Sequence, residues 1–345
     1  MATTKAPSVP GPVPFKDFTG GAAVPVPAPP ELEAEGTIAA TSSTADDDDA
    51  GGTKKPWMRC YRATWVAARW VPGIVAIHRS FTPRRGDVVL ASPPKCGTTW
   101  LKALTFATMA RGAHPPAQAG HPLLRLNPHD CVPFMETLFA AGWGAGKMEA
   151  LPSPRLMATH MQHSVLPSSI RDNNDCKIIY ICREPKDMLV SLWHYVRKFK
   201  PDLSFNDLSE HACEGISLGG PIWDHVLGYW HASRASPEKV LFLRYEEMLR
   251  DPAGNVRKIA QFVGMPFSAA EEEAGTVMDI VRLCSFDKQR NLEVNRADPG
   301  VPFANDWYFR KAEVGDWANH MTPEMAQRLD AIVEEKIRGS GLSFK

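Results

Sequence analysis

Short apolar runs alternate with helical periodicity through most of this chain. Asp87–Ala91 (DVVLA) is an apolar run bounded by Gly86 and Pro93, the pattern of a buried strand. From Thr98 to Arg111, Trp100, Leu101, Leu104, Phe106 and Met109 recur at helical spacing, which predicts a helix directly after a loop. The alternation repeats. Arg155–Thr159 predicts a short strand ending at His160, Lys177–Cys182 (KIIYIC) a buried strand, and Pro185–Lys198 a helix. Val240–Leu243 predicts another strand, followed by Tyr245 and a helix through Asp251 to Val263. Strands alternating with helices define an α/β single domain: a central parallel sheet flanked by helices, with ligands at the carboxyl ends of the strands. The chain shows no internal repeat.

Residues 1–55 break the pattern. They are rich in Pro and Ala, show little periodicity and carry the acidic run Asp46–Asp49. Such a stretch buries too little apolar surface to offset its ordering entropy, so it reads as a disordered tail, with the folded domain over 56–345. A transit peptide would be rich in Arg and poor in acids, and this stretch has no Arg. It also lacks the charged start and apolar core of a secretory signal.

Charge and cysteine usage narrow the partners. The formal net charge is +0, so neither a nucleic acid nor a membrane surface is expected, and any basic site must be local. No apolar run approaches the ~20 residues that span a bilayer. The 7 cysteines are scattered and include no C-x-x-C pair, which fits reduced thiols in the cytoplasm better than a disulfide framework or a zinc site.

The chemistry starts at the first strand–loop–helix junction, "SPPKCGTTWLKAL", Ser92–Leu104. A strict phosphate loop places its lysine after the glycine; here Lys95 comes before Gly97, and Thr98 and Thr99 follow. Backbone N–H groups and the positive end of a helix dipole converge at such a junction. Gly97 allows close approach, Lys95 adds a full charge and the threonines add hydroxyl donors: a P-loop-like oxyanion cradle. A nucleoside-triphosphate enzyme would place a metal-binding acid at the end of a neighbouring strand. After KIIYIC the chain has Arg183 instead, while Pro185 and Asp187 read as helix-start residues. A site of this kind needs no divalent metal, and it points to a less charged transferred group such as sulfuryl.

Three separated segments then resemble the cytosolic sulfotransferase family. "PPKCGTTWLKAL" is similar to its 5′-phosphosulfate loop, "ICREPKDMLVSLWHY" (Ile181–Tyr195) to its 3′-phosphate segment, and "FRKAEVGDW" (Phe309–Trp317) to its C-terminal clamp. "GPIWDHVLGYW", "LCSFDKQRNLEVN" and "EEKIRGSGL" resemble the plant branch in particular, and the likeness covers Trp57 to Lys345. The resemblance implies 3′-phosphoadenosine 5′-phosphosulfate as donor. Lys95, Cys96, Gly97, Thr98 and Thr99 would surround its phosphosulfate. Arg183, Ser191, Arg310, Lys311 and the backbone at Ala312 would hold its 3′-phosphate. Trp100 and Phe286 would stack on the adenine, with Tyr245 near its edge.

Transfer to a hydroxyl needs a base, and histidine suits that task near neutral pH. His160, after the strand RLMAT, resembles the family's threonine–histidine motif and is the expected base, with Lys95 stabilising charge on the leaving oxygen. Phe134, Met161, His163 and the stretch Phe139–Met148 are the expected acceptor lining. An apolar set with one base suits a small hydroxylated flavonoid, steroid or other plant phenol or alcohol.

The chain departs from the family at several places. Ala158 stands where animal members carry a lysine, Cys96 where serine is commoner, and Ala312 where glycine is usual. If position 312 needs positive φ, a methyl there costs roughly 1 kcal/mol. Ala318, Pro323 and Gln327 degrade the family's small dimerisation motif, so a monomer or weak homodimer is expected. A Mg²⁺-dependent small-molecule kinase and a catalytically idle donor-binding relative are the competing readings.

Overall fold

The computed structural model describes residues 11–22, 38–39, 47–48, 54–55, 57–296 and 305–344. An antiparallel hairpin comes first, β1 (Met58–Tyr61) and β2 (Thr64–Ala67). Its turn passes through Arg62 and Ala63 at φ 48° and 59°, without the Gly or Asn that such a turn usually takes. The main sheet follows: β3 (Val88–Ala91), β4 (Leu156–Thr159), β5 (Lys177–Cys182) and β6 (Val240–Arg244). All four are parallel, in the order β4-β3-β5-β6.

Near-continuous apolar runs suit strands covered on both faces, and alternate residues feed separate cores. Val89, Ile178, Tyr180 and Val240 enter one; Val88, Leu90, Ile179 and Leu241 enter the other. The helices that position the site are α1 (Val71–Ser80), α2 (Thr98–Ala110), α3 (Met135–Ala140) and α4 (Pro185–Val196). Beyond β6 the expected helix is divided. Tyr245–Arg250 and Pro252–Phe262 are separate helices, because the Asp251 side chain caps the second by accepting from Gly254 N–H. A Cβ at Gly73 would lie 1.9 Å from the Glu136 carbonyl, so glycine lets α1 close onto α3. That contact presses Glu136 towards the end of β4.

At the amino ends of β3 and β4, Asp87 and Arg155 form a fully buried ion pair, 2.6 Å between Nη2 and Oδ2. Arg155 also donates to the carbonyls of Thr82 and Met148 and to Glu149.

The tail expectation fails where its residues are described. Residues 11–22, placed by composition in a disordered tail, lie against the domain. Pro12 and Pro14 are buried, Lys16 pairs with Asp130 at 3.1 Å, and Asp17 pairs with Arg125. The Lys147 ammonium sits 4.3 Å over the Phe15 ring. Average composition over fifty-odd residues conceals a local cluster, FKDF (Phe15–Phe18), with two aromatics and two charges. Ile38–Ala39 also pairs antiparallel with β1, and Asp47–Asp48 with Lys54–Lys55. The rest of 1–55 lies outside the described residues. Among those described, no helix is long and apolar enough to cross a membrane.

Candidate active site

All four strands of the main sheet end at one cavity, about 1270 Å³ in volume. Single-ligand pockets run to roughly 300–1,000 Å³, so this one has room for two molecules. Lys95, Gly97, Thr98, Thr99, Trp100, Phe134, His160, Arg183, Ser191, Tyr245, Phe286, Arg310, Lys311 and Ala312 all line it. The structure therefore gathers fourteen of the sequence-predicted site residues from segments more than two hundred positions apart.

The loop after β3 turns through left-handed backbone at Lys95 (φ 68°) and Gly97 (φ 93°). A Cβ at Gly97 would lie 2.6 Å from the Tyr245 ring, so glycine is required for space as well as φ. The Lys95 ammonium faces the Trp307 carbonyl at 3.4 Å and the Tyr195 ring at 4.5 Å. Burial, with Arg310 and Arg183 nearby, pulls its pKa down to about 7. An anion at this spot restores its charge. Thr98 bonds Ser92 Oγ at 2.6 Å, whereas Thr99 bonds the His129 ring at 2.9 Å. Cys96 is a correction: its side chain is fully buried in the apolar core and does not line the cavity. Burial pushes its thiol far up.

His160 follows β4. Its Nδ1 lies 2.8 Å from the Ser92 carbonyl, which can only accept, so Nδ1 carries the proton and Nε2 keeps its lone pair. Its backbone N–H donates to Glu136 Oε1 at 2.6 Å, and Thr159 Oγ1 donates to the same oxygen at 2.8 Å. The ring is held between Phe134, at 4.4 Å, and Trp70, at 5.5 Å between centroids. Burial pushes its pKa down to about 3, so it is a neutral, proton-accepting ring at physiological pH.

Arg183 follows β5. Its Nη2 donates to the Glu313 carbonyl at 2.6 Å and its guanidinium lies 4.7 Å over the Tyr245 ring, yet its Nε is buried without a partner. An orphaned donor beside Ser191 fits an incoming phosphate oxygen. Arg310 and Lys311 are held by the buried Asp316 carboxylate, which is kept far below the usual range; burial opposes this, but the hydrogen bonds from Lys311, Arg310 and Asn319 outweigh it. Asp187 does more than start α4. Glu184 caps that helix, while Asp187 accepts from Gly315 N–H at 2.7 Å and Trp317 N–H at 3.0 Å, tying the segment that carries Arg310 and Lys311 to the start of α4. Ala312 sits at φ 60°, so the left-handed conformation normally taken by glycine is present here. Trp100 meets Tyr245 edge-to-face at 5.9 Å, and Phe286 lies opposite Phe309 at 6.3 Å, forming an aromatic slot.

Apart from Phe134, the residues expected to line an acceptor pocket lie elsewhere. Met161 is buried in the core, its carbonyl accepting from Tyr229, and does not line the cavity. His163 packs edge-on against Tyr229, also away from it. No residue of 139–148 lines the cavity; Phe139 and Met148 are core residues. The hairpin and the turn after it do that work instead, through Trp57, Arg59, Arg69 and Trp70, together with Tyr195, Phe199 and Tyr308. The aromatic density of 57–70 was the available signal.

Residues 85–341 match the family model "Sulfotransferase domain". The chain is 40% identical over 320 residues to cytosolic sulfotransferase 5 of Arabidopsis thaliana, covering 91% of this chain and 98% of that one. It is 42% identical over 317 residues to cytosolic sulfotransferase 8 of the same plant, covering 90% and 93%. The fold is similar to a solved Arabidopsis thaliana sulphotransferase, with TM-score 0.67 and 36% identity over 88% of this chain and 93% of the other. It is also similar to a mouse sulfotransferase complexed with PAP, with TM-score 0.64 and 26% identity over 82% and 95%. The class defined by fold and site is a transferase with an anion cradle at the strand ends. The chain belongs to the sulfotransferase family, in its plant cytosolic branch, and it is a sulfotransferase.

Proposed function

We propose that this enzyme moves a sulfuryl group from 3′-phosphoadenosine 5′-phosphosulfate to the hydroxyl of a small, flat ring compound, with His160 as general base. One observation carries the reading: the Ser92 carbonyl fixes the His160 proton on Nδ1, so a bare Nε2 lone pair is available beside the Lys95 cradle. His160 Nε2 takes the acceptor's hydroxyl proton as that oxygen bonds to sulfur. The bond from sulfur to the 5′-phosphate oxygen breaks, and Lys95 stabilises the charge left on that oxygen. The proton ends on His160 and leaves to solvent with the product.

Residues of both arms fit the donor. The Lys95 loop faces the phosphosulfate, Arg183, Ser191, Arg310 and Lys311 the 3′-phosphate, and the Trp100–Phe286 slot the adenine. A mouse relative complexed with PAP supports that assignment. The acceptor would lie among Trp57, Trp70, Phe134, Phe199 and Tyr308, walls suited to a flavonoid, a steroid or another phenol or alcohol. Arg59 and Arg69 would meet its polar edge. The protein would act as a monomer or weak homodimer.

Incubation with ³⁵S-labelled donor and a panel of phenols and hydroxysteroids, with and without EDTA, tests this. Labelled ester formed equally with EDTA is the expected result. ATP turnover abolished by EDTA would make the protein a kinase, and tight donor binding with no ester would make it an idle binder.

A further inference from the structure

A polar chain runs from the cavity wall into the core. Thr99 Oγ1 is 2.9 Å from His129 Nε2, and His129 Nδ1 is 3.0 Å from Lys102 Nζ. Lys102 sits on the core side of α2, fully buried. Its Nζ also donates to the Val132 carbonyl at 2.8 Å and stands 3.5 Å over the Phe134 ring. His129 is clamped on both sides. Asn127 accepts from its backbone N–H at 2.8 Å, and its ring is stacked with Tyr308 at 4.1 Å and with Phe134 at 5.5 Å.

The direction of each hydrogen bond follows from donor and acceptor inventory. Burial pulls the Lys102 pKa well below the usual lysine range, against the nearby Glu136 carboxylate. In its charged form it has three donors and no acceptor, and the carbonyl, the ring face and His129 Nδ1 take one each. Nδ1 therefore accepts, and a neutral His129 must carry its proton on Nε2. Nε2–H then donates to Thr99 Oγ1. With its oxygen already accepting from behind, the Thr99 hydroxyl is free to send its own proton forward into the cavity. Thr98 differs, because its hydroxyl is engaged with Ser92. Burial and the nearby Lys102 charge hold His129 well below the usual histidine range, consistent with a neutral ring.

We infer that Lys102 and His129 are positioning residues that fix the Thr99 hydroxyl as a one-way donor to an oxygen of the bound phosphosulfate. This rests on the donor reading above. The chain substitutes orientation for charge: Lys102 remains out of the cavity, and its effect arrives as a hydrogen-bond direction.

Two measurements test it. On the free protein, ¹⁵N-edited NMR of the imidazoles should show His129 with its proton on Nε2; a ring protonated on Nδ1, or on both nitrogens, overturns the proposal. In kinetics, His129→Phe keeps the ring stack and removes both nitrogens. It should lower kcat/KM for the donor about tenfold to a hundredfold, the scale of one hydrogen bond to a charged group. His129→Gln, whose amide N–H can reach the Thr99 oxygen, should recover most of that loss. In a Thr99→Val background the His129→Phe change should add less than about threefold, because nothing remains to orient. Equal losses in both backgrounds, or a Gln variant as poor as Phe, would reduce His129 to a packing role and overturn the relay. Absence of any sulfuryl transfer by the wild type would fall on the functional reading, whereas the wrong tautomer falls on this one.

Discussion

At the amino ends of β3 and β4, Asp87 and Arg155 are both fully buried, and the guanidinium reaches the Asp87 carboxylate, the Thr82 and Met148 carbonyls and Glu149. At the carboxyl ends of the same sheet, Lys95 has one long contact to a carbonyl and a ring face, and Arg183 keeps an unpaired Nε. Asp187 stands 3.7 Å from the Arg183 guanidinium, and Asp316 holds Arg310 and Lys311. The same few strands thus carry a fully matched pair at one end and a partly matched cluster of cations at the other, with Lys95 lacking a carboxylate among the described residues. Stability needs buried charges matched; binding an anion needs them left short of a partner. The contrast separates the structural end of the molecule from the working end without reference to any relative.

Breaking the matched end should have the largest effect. Arg155→Met leaves Asp87 buried without its partner and should cost ~3–5 kcal/mol, lowering Tm by on the order of 10 °C in scanning calorimetry. The KM for donor of the folded enzyme should hardly move. A shift below about 2 °C would mean that the pair is not what holds the strand starts.

The unmatched end answers in protons. Lys95 has a pKa of about 7 in the free protein, and a bound phosphate favours its charged form. Binding of 3′-phosphoadenosine 5′-phosphate at pH 8 should therefore take up protons, approaching one per site, and take up little at pH 6. Titration calorimetry in buffers of different ionisation heat measures this. No uptake at pH 8 would show that the ammonium is already charged and that the cations do not crowd one another.

The smallest change sharpens the comparison at the clamp. Ala312 holds φ 60° with a methyl in place. Ala312→Gly should tighten binding of the same nucleotide several-fold, corresponding to about 1 kcal/mol of relieved strain, with turnover at saturating donor unchanged. The greater freedom of glycine in the unfolded chain affects stability in the opposite sense. Equal affinities would show that this backbone tolerates alanine.

How much could be read from the chain follows the same division. The proposed donor side is local: Lys95–Trp100, Arg183–Ser191 and Arg310–Ala312 each bring several groups within a few residues at a strand end, a helix start or a loop. Such segments carry their geometry in their spacing, as do β3 to β6 in their apolar runs. The proposed acceptor side is assembled from single side chains whose neighbours in sequence face elsewhere. Arg59 comes from a hairpin whose turn, Arg62–Ala63, lacks the usual turn residues, and Trp70 from the turn that follows it. His163 and Met161 look well placed three residues or fewer from the proposed base, yet Met161 is turned into the core and His163 packs, partly buried, against Tyr229 away from the cavity. Lys102 would be read as a surface lysine, because nothing in α2 announces that Val132 and His129 wait behind it. Residues 11–22 were hidden by averaging, since two aromatics vanish in a stretch otherwise rich in Pro and Ala.

The central claim is that the neutral His160 ring at the end of β4 performs the proton transfer. Its most direct test is steady-state turnover of His160→Ala beside calorimetric binding of 3′-phosphoadenosine 5′-phosphate to the same protein. The kcat should fall at least about a hundredfold, the scale of a lost general base, with nucleotide affinity near wild type because the imidazole would face the acceptor. Comparable turnover in the variant would contradict it and pass the role to another group, with His129, the other histidine lining the cavity, first to be examined.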